Sequence, residues 1–316
     1  MFSSRFVWAF VLTLGLGATG HAEAVRPASK RLPDWLDALL RQIDAGKVQY
    51  ESITLTVPEE VDAKSDQAKV EVISPERFWR LASLVELRSG AANMKNLTSA
   101  GGPRRSAAEF DVALDAPVIR EGDLDKLRTA SEDLAQLVQH MQADPAVHVT
   151  QVLLSRPAEI SVFGRAVRRV PVRVALLGPR AELLSRVSEL AKPLPYAYLR
   201  GLRATPGTAL EVAVSINLLV KTADAVKIGS TVEELAKQVG ERVAATAGPD
   251  VKVTNTSGAS GDAVILAIAG PARDANGARD ALLSLVKWPG LKGYDELGWK
   301  NDDGKVALTG LLHFAR

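Results

Sequence analysis

The chain has 316 residues, with 39 basic and 37 acidic side chains and a formal net charge of +2. This near balance excludes the strongly basic surface of a general nucleic-acid binder. The sequence contains no cysteine, which excludes disulfide bonds and thiolate metal sites. Length and an ordinary apolar content predict two or three domains with real cores.

The first residues have the layout of a secretory signal peptide. Arg5 precedes an apolar run from Phe6 to Ala18, and Ala22-Glu23-Ala24 matches an A-x-A cleavage pattern. The run is shorter than the ~20 residues that span a bilayer. We therefore expect cleavage after Ala24 and a periplasmic protein; the alternative is an uncleaved N-terminal anchor in the inner membrane with a periplasmic domain.

A first unit is predicted over residues 32–116. A helix places Leu36, Leu39, Leu40 and Ile43 on one stripe, and Gly46 ends it. The pattern then predicts strands over 52–57 and 69–73, a helix over 76–87, and strands over 93–99 and 107–114.

The same order recurs over residues 122–221 and 228–316. The second unit has a helix over 124–141, strands over 148–154 and 170–177, a helix after Gly178-Pro179, and strands over 196–204 and 210–220. In the third, Ser230 to Glu233 is read as a capping box, and its helix ends at Gly248-Pro249. Strands over 251–256 and 263–269, a helix after Gly270-Pro271, and strands over 291–300 and 305–314 follow, the last two joined by a turn at Asn301 to Gly304.

The order α-β-β-α-β-β thus occurs three times. Two helices over one face of a four-stranded antiparallel sheet make a two-layer sandwich, a circularly permuted relative of the ferredoxin-like fold. The predicted class is α+β, with three tandem units after the signal peptide. Each unit contains a strand, a small residue, a proline and then a helix, at Ser74-Pro75, Gly178-Pro179 and Gly270-Pro271. Ser or Gly is read as the N-cap and proline as the first helical residue.

No catalytic, cofactor or metal site is predicted. His140, His148 and His313 lack metal-ligand spacing. The carboxylate pairs, among them Glu132-Asp133, are expected on surfaces, without the burial that separates catalytic pKa values. No P-loop, nucleophile elbow or calcium loop occurs.

The second unit carries an arginine-rich hairpin. It contains Arg156, Arg165, Arg168, Arg169 and Arg173. Arg165, Arg168 and Arg169 are candidate contacts for an acidic partner or for lipid headgroups, against the simpler interpretation of a solvated loop.

Two tryptophans, Trp79 and Trp288, lie at comparable positions in the first and third units. Both are expected to pack in the core or at a helix end.

The second and third units resemble a known group of domains. Pro171 to Leu184, Tyr198 to Leu202 and Leu210 to Leu219 resemble the periplasmic ferredoxin-like domain of PilO-type proteins of the type IV pilus inner-membrane platform, with GspM as the type II secretion counterpart. Ile268 to Pro271 and Leu311 to Phe314 resemble the PilN and GspL version. The resemblance implies the same fold and an assembly role in the envelope.

These observations predict a non-enzymatic periplasmic scaffold of a pilus or secretion platform that acts through protein–protein contacts. Expected partners are other envelope proteins or a second copy of the chain, with peripheral inner-membrane contact and no nucleic acid. The alternatives are a periplasmic protein that binds a ligand between units, an envelope protein of the BON or ring-building type, and, third, an enzyme.

Overall fold

The computed structural model describes a mixed helix and strand protein. The described residues are 36–37, 39–41, 43–44, 47, 49–56, 67–75, 92–99, 106–113, 121–189, 196–222, 231–257 and 263–315. The predicted signal peptide, the helix predicted over 76–87 with Trp79, and the ends of several predicted elements lie outside these residues.

The regular elements follow the predicted order within the described residues. The strands are β1 (Ser52–Thr56), β2 (Gln67–Ser74), β3 (Ala92–Ser99), β4 (Ser106–Ala113), β5 (His148–Leu154), β6 (Ala158–Val162), β7 (Arg165–Gly178), β8 (Ala197–Thr205), β9 (Leu210–Val220), β10 (Lys252–Asn255), β11 (Ala263–Ala272), β12 (Leu291–Asp302) and β13 (Lys305–Ala315). The helices that are described in full are α1 (Ala130–Met141), α2 (Arg180–Glu189), α3 (Val232–Ala247) and α4 (Ala275–Val286), and a 3₁₀ turn covers Glu121–Lys126. Leu36, Leu39, Leu40 and Ile43 are helical and buried, as their spacing predicts.

Within the described residues, twelve strands form one antiparallel sheet in the order β10-β11-β13-β12-β5-β7-β9-β8-β1-β2-β4-β3, and β6 pairs with the start of β7. Three consecutive groups of four strands can be read from this order: β1 to β4, then β5 with β7 to β9, then β10 to β13. In each group the strands lie first, second, fourth, third. The third strand of one group pairs with the first strand of the preceding group, β8 with β1 and β12 with β5.

The sheet has a large core on one face and a small core on the other. The main core joins apolar side chains of all three groups with the buried residues of the helices, among them Leu36, Leu137, Leu183, Val239 and Leu282. The small core consists of Leu124, Leu127, Val162, Val167 and Leu219. Along β7, the side chains of Val170, Val172, Val174 and Leu176 enter the main core while that of Val167 enters the small core, as the two-residue period of a strand requires.

Two helix starts differ from the prediction. The helix predicted over 124–141 begins only at Ala130, because Thr129 and Glu132 form a capping box there, and the preceding residues make the 3₁₀ turn. The apolar Leu124 and Leu127 that extended the helical pattern pack in the small core instead. In the third group the capping box is formed by Thr231 and Glu234, one residue later than predicted.

The recurring pattern of a strand followed by a small residue and a proline adopts different local structures at Gly178-Pro179 and at Gly270-Pro271. Pro179 directly precedes α2, and its carbonyl accepts the Leu183 amide at 3.0 Å, so proline rather than Gly178 is the capping residue. Gly270 and Pro271 remain in β11, paired with Leu308 and Ala307, and the cap of α4 is Asp274. The prediction that Gly270-Pro271 opens a helix is therefore wrong.

The small residue has a different common role, which is close approach of two backbone segments. A Cβ atom on Gly178 would lie 2.7 Å from the Ala146 carbonyl oxygen, and one on Gly270 would lie 2.4 Å from that of Asp250. The buried Ser74 donates to the Gln49 carbonyl at 2.6 Å. Each contacted residue belongs to the segment that leads into the first strand of its group, so the second strand of each group ends against that segment.

Candidate functional site

The arginine-rich hairpin is β6 and β7 with a two-residue turn at Phe163 and Gly164, both with positive φ. Arg165 is exposed and forms an ion pair of 2.8 Å with Asp125 in the 3₁₀ turn. Arg168 faces the main-core side, where its side chain is 17% exposed. Arg169 hydrogen-bonds the hydroxyl of Tyr198, a residue that packs against the small core. The three candidate residues thus lie in three environments, and contact of any of them with a partner stays a prediction.

The Tyr198 hydroxyl connects this arginine to the neighbouring strand. It accepts a hydrogen bond of 2.8 Å from the Asn217 side chain. Burial raises the pKa of Tyr198, against the opposing effects of its Asn217 and Arg169 hydrogen bonds. The phenol is therefore neutral at ordinary pH and serves to fix β8 on β9.

A second charged cluster joins the second and third groups on the solvent side of β12. Arg156 donates two hydrogen bonds of 2.7 Å to the Asp295 carboxylate, and His313 Nε2 lies 2.9 Å from the same carboxylate. The Arg156 hydrogen bond lowers the pKa of Asp295, outweighing partial burial, which raises it. Leu311 is the direct register partner of Asp295 on β13, and among the described residues it is the large apolar side chain that is exposed.

We call the two pairings between groups, β8 with β1 and β12 with β5, the joints. Arginines from helices make polar contacts at both of them. Arg180, at the start of α2, hydrogen-bonds the carbonyl and the carboxylate of Asp37 and also pairs with Asp44. Arg279 on α4 donates to the Gln142 side chain just after α1 at 2.9 Å. Each joint therefore combines strand pairing with an arginine that reaches the neighbouring group.

A cavity of about 520 Å³ lies where the start of α1 meets the end of α4 and the start of β12. We call it the joint cavity. Its wall includes Arg168, Lys221, Lys287, Trp288 and Tyr294. Trp288 follows the C-terminus of α4 and packs against the main core, which confirms the helix-end packing expected of it.

The Tyr294 side chain is nearly inaccessible, with 4% of the residue exposed. Its hydroxyl has no hydrogen-bond partner within the described part of the chain. Burial raises the pKa of Tyr294, and the nearby charge of Arg168 acts in the opposite direction. A buried hydroxyl without a partner is rare and needs an explanation.

Other predicted positions are scattered. His140 lies on α1, His148 starts β5 and His313 lies on β13, so the described structure does not bring the three together. Among the described residues, no group of three or more histidine or carboxylate side chains could hold a metal ion.

Asp133 is buried, with an ion pair of 2.8 Å to Arg128, and burial raises its pKa. The expectation that Glu132-Asp133 is a surface pair is wrong for Asp133, whose position on α1 faces the core.

Sequence reasoning missed Tyr294 and Asp295 because the residues that surround them in the fold lie far away along the chain. Arg156 and Asp295 are 139 residues apart, and they meet only because β12 pairs with β5. A signal did exist in the short polar interruption Asp295-Glu296 between the apolar residues Tyr294 and Leu297. It coincides with a register shift of β12 against β13.

None of the helices described in the structure is both long and apolar enough to cross a bilayer. No family model, no curated protein and no solved structure matches the chain.

Proposed function

We propose that this protein is an exported, non-enzymatic scaffold of a cell-envelope assembly. Three repeated units set side by side would offer extended surfaces for partner proteins. The single observation that supports this most is the repeated strand order, first, second, fourth, third, in all three groups of one sheet.

The unit that we infer is the circularly permuted ferredoxin-like sandwich. In the order α-β-β-α-β-β, a sheet with strands first, second, fourth and third and only antiparallel neighbours is the permuted form of that fold. Units of this kind carry the proposed likeness to the PilO, PilN, GspM and GspL domains of pilus and secretion platforms. Since function is argued from sites rather than folds, the assembly role rests on the surfaces below.

Within the described residues, β3 and β10 each pair with one neighbour only. Edge strands present free amide and carbonyl groups to which a partner strand can add. β10 has four residues, of which Lys252, Thr254 and Asn255 are exposed. We propose that partner subunits of the envelope assembly bind at these edges.

A pull-down with site-specific crosslinking tests the proposal. The full chain, expressed in its native host with a photo-crosslinking residue at Thr254, is purified from the envelope and its adducts are identified by mass spectrometry. Pilus or secretion platform subunits crosslinked at Thr254, but not at the exposed Lys237 on α3 used as the control position, support the role. Absence of such subunits from both samples contradicts it.

The export step has its own test. Mass spectrometry of the protein from the native host gives an N-terminus at Val25 if the segment is cleaved. An intact Met1 in the membrane fraction favours the anchor, and an intact Met1 in the cytoplasm contradicts export altogether.

A further inference from the structure

The joint cavity has the features of a ligand site, and they do not depend on the scaffold role. We propose that it binds a small organic anion, whose charged group lies by Arg168 and Tyr294 and whose apolar part lies against Trp288. The ligand class is a carboxylate or a phosphate monoester on a ring or a short apolar chain.

The wall of the cavity is positively charged. Arg168, Lys221 and Lys287 line it, and no described carboxylate does. Arg168 forms a long ion pair of 3.8 Å with the exposed Glu159, and this distance is too great for a hydrogen bond. A largely buried guanidinium is stable when its N–H groups have acceptors, and an anion in the cavity would supply them.

Tyr294 gives an independent indication of a missing partner. It lines the same cavity, and its buried hydroxyl lacks a hydrogen-bond partner among the described residues. Because burial keeps the phenol protonated, its O–H is a donor suited to an anionic oxygen. The charge of Arg168 reaches Tyr294, so both donors would act on one charged group.

The first turn of α1 adds to the positive potential. Its capping box uses the amides of Thr129 and Glu132. The amides of Ala130 and Ser131 have no partner in that box, and both residues lie on the cavity wall. The N-terminus of a twelve-residue helix carries a partial positive charge that favours an anion here.

The remainder of the wall is apolar and sets the size of the ligand. Trp288, Val286 and Leu291 line it, each half-buried and packed against the main core. The volume of about 520 Å³ is within the range of small-molecule sites. A free inorganic ion would leave this apolar part empty, whereas a ring would pack on the indole.

Isothermal titration calorimetry of the full mature chain tests the site with phenyl phosphate as the probe. Benzoate replaces the phosphate by a carboxylate, inorganic phosphate removes the ring, and benzyl alcohol removes the charge. The variants are Tyr294→Phe, which deletes only the unpartnered hydroxyl, and Arg168→Met. Arg165→Met, on the same strand but exposed and paired with Asp125, is the matched control.

We expect phenyl phosphate or benzoate to bind at one site, at least about tenfold more tightly than inorganic phosphate or benzyl alcohol. Tyr294→Phe should weaken this binding by about tenfold, the loss expected for one hydrogen bond to a charged group, and Arg168→Met by more. Arg165→Met should leave it unchanged. No saturable binding of either aromatic anion below about 10 mM, or equal affinity in wild type and Tyr294→Phe, overturns the proposal, even if Arg168→Met fails to fold. Neither result bears on the crosslinking at Thr254.

Discussion

The joint between β12 and β5 should depend on the lack of a side chain at Gly298. Gly298 is paired with Leu153, and a Cβ atom there would lie 2.1 Å from the Val152 carbonyl oxygen and 2.8 Å from the Leu153 Cα. Both contacted atoms are backbone atoms of the neighbouring strand, so no side-chain rotation relieves the overlap. Gly298→Ala must therefore separate the two strands.

The size of the effect follows from these distances. Ordinary contact of a Cβ begins at 3.4 Å, so the strands must separate by about 1.3 Å. Hydrogen bonds of ordinary length do not survive that increase. Loss of two of them at about 1 kcal/mol each, together with strain in the main core, gives a decrease of about 2–4 kcal/mol in the free energy of unfolding.

Urea denaturation followed by circular dichroism measures this decrease, and amide hydrogen exchange locates it on β5 and β12. Gly293→Ala is the matched control, since it lies on the same strand and a Cβ there meets nothing within 4 Å. The free energy of unfolding of the Gly201→Ala variant, at the joint of β8 with β1, should lie between those of Gly298→Ala and Gly293→Ala. The reason is that its Cβ would be 3.0 Å from the Leu55 carbonyl oxygen. Equal stabilities of the Gly298→Ala and Gly293→Ala variants would refute the reasoning.

Three further predictions concern single contacts. Gly178→Ala should lower the free energy of unfolding by about 1–3 kcal/mol, since its Cβ would meet the Ala146 carbonyl at 2.7 Å, whereas Gly122→Ala, with open space around it, should stay within about 0.5 kcal/mol in the same urea titration. Thr231→Ala removes the cap of α3 and should cost about 1 kcal/mol, and a loss no larger than that of Thr246→Ala on the same helix would argue against a capping role. Because the pKa of Asp295 is lowered, its pairing with Arg156 stabilises the fold above the unfolded carboxyl pKa and stops doing so as the pH falls through the folded value. Arg156→Gln should therefore lower the free energy of unfolding slightly at pH 7, and its difference from wild type should shrink as the pH falls through the folded pKa of Asp295. An undiminished difference in acid would exclude this origin.

Local patterns predicted most elements because their causes are local. The spacing of Leu36, Leu39, Leu40 and Ile43 predicted a buried helical stripe. Asn301 to Gly304 predicted the β12–β13 turn, which has positive φ at Asp303 and Gly304 and a hydrogen bond that the Gly304 amide donates to the Asn301 side-chain oxygen. Both depend only on residues close in sequence.

The failures occurred where tertiary contacts decide. Leu124 and Leu127 fit a helical period with Leu134, yet they pack on the opposite face of the sheet. Gly270 fits a cap, yet the approach of Asp250 and pairing with β13 hold it in a strand. The joint cavity was not predictable, because Arg168 and Tyr294 come from different groups and meet only through the pairing of β12 with β5.

The way the groups join gives the sheet a direction. Both internal joints place a third strand on a first strand, and within the part of the chain that the structure describes the outer edges are a third strand, β3, and a first strand, β10. Such a head-to-tail contact does not close on itself, so nothing in the symmetry of the joint limits the number of units that could be added. In β8 the pairing register shifts by one residue just before Gly201, the glycine at the joint with β1. In β3 the same shift occurs just before Asn96, so an asparagine stands in β3 where β8 has this glycine. Among the described residues, one edge strand, β10, has four residues and the other, β3, carries this asparagine, so neither edge repeats the contact of an internal joint.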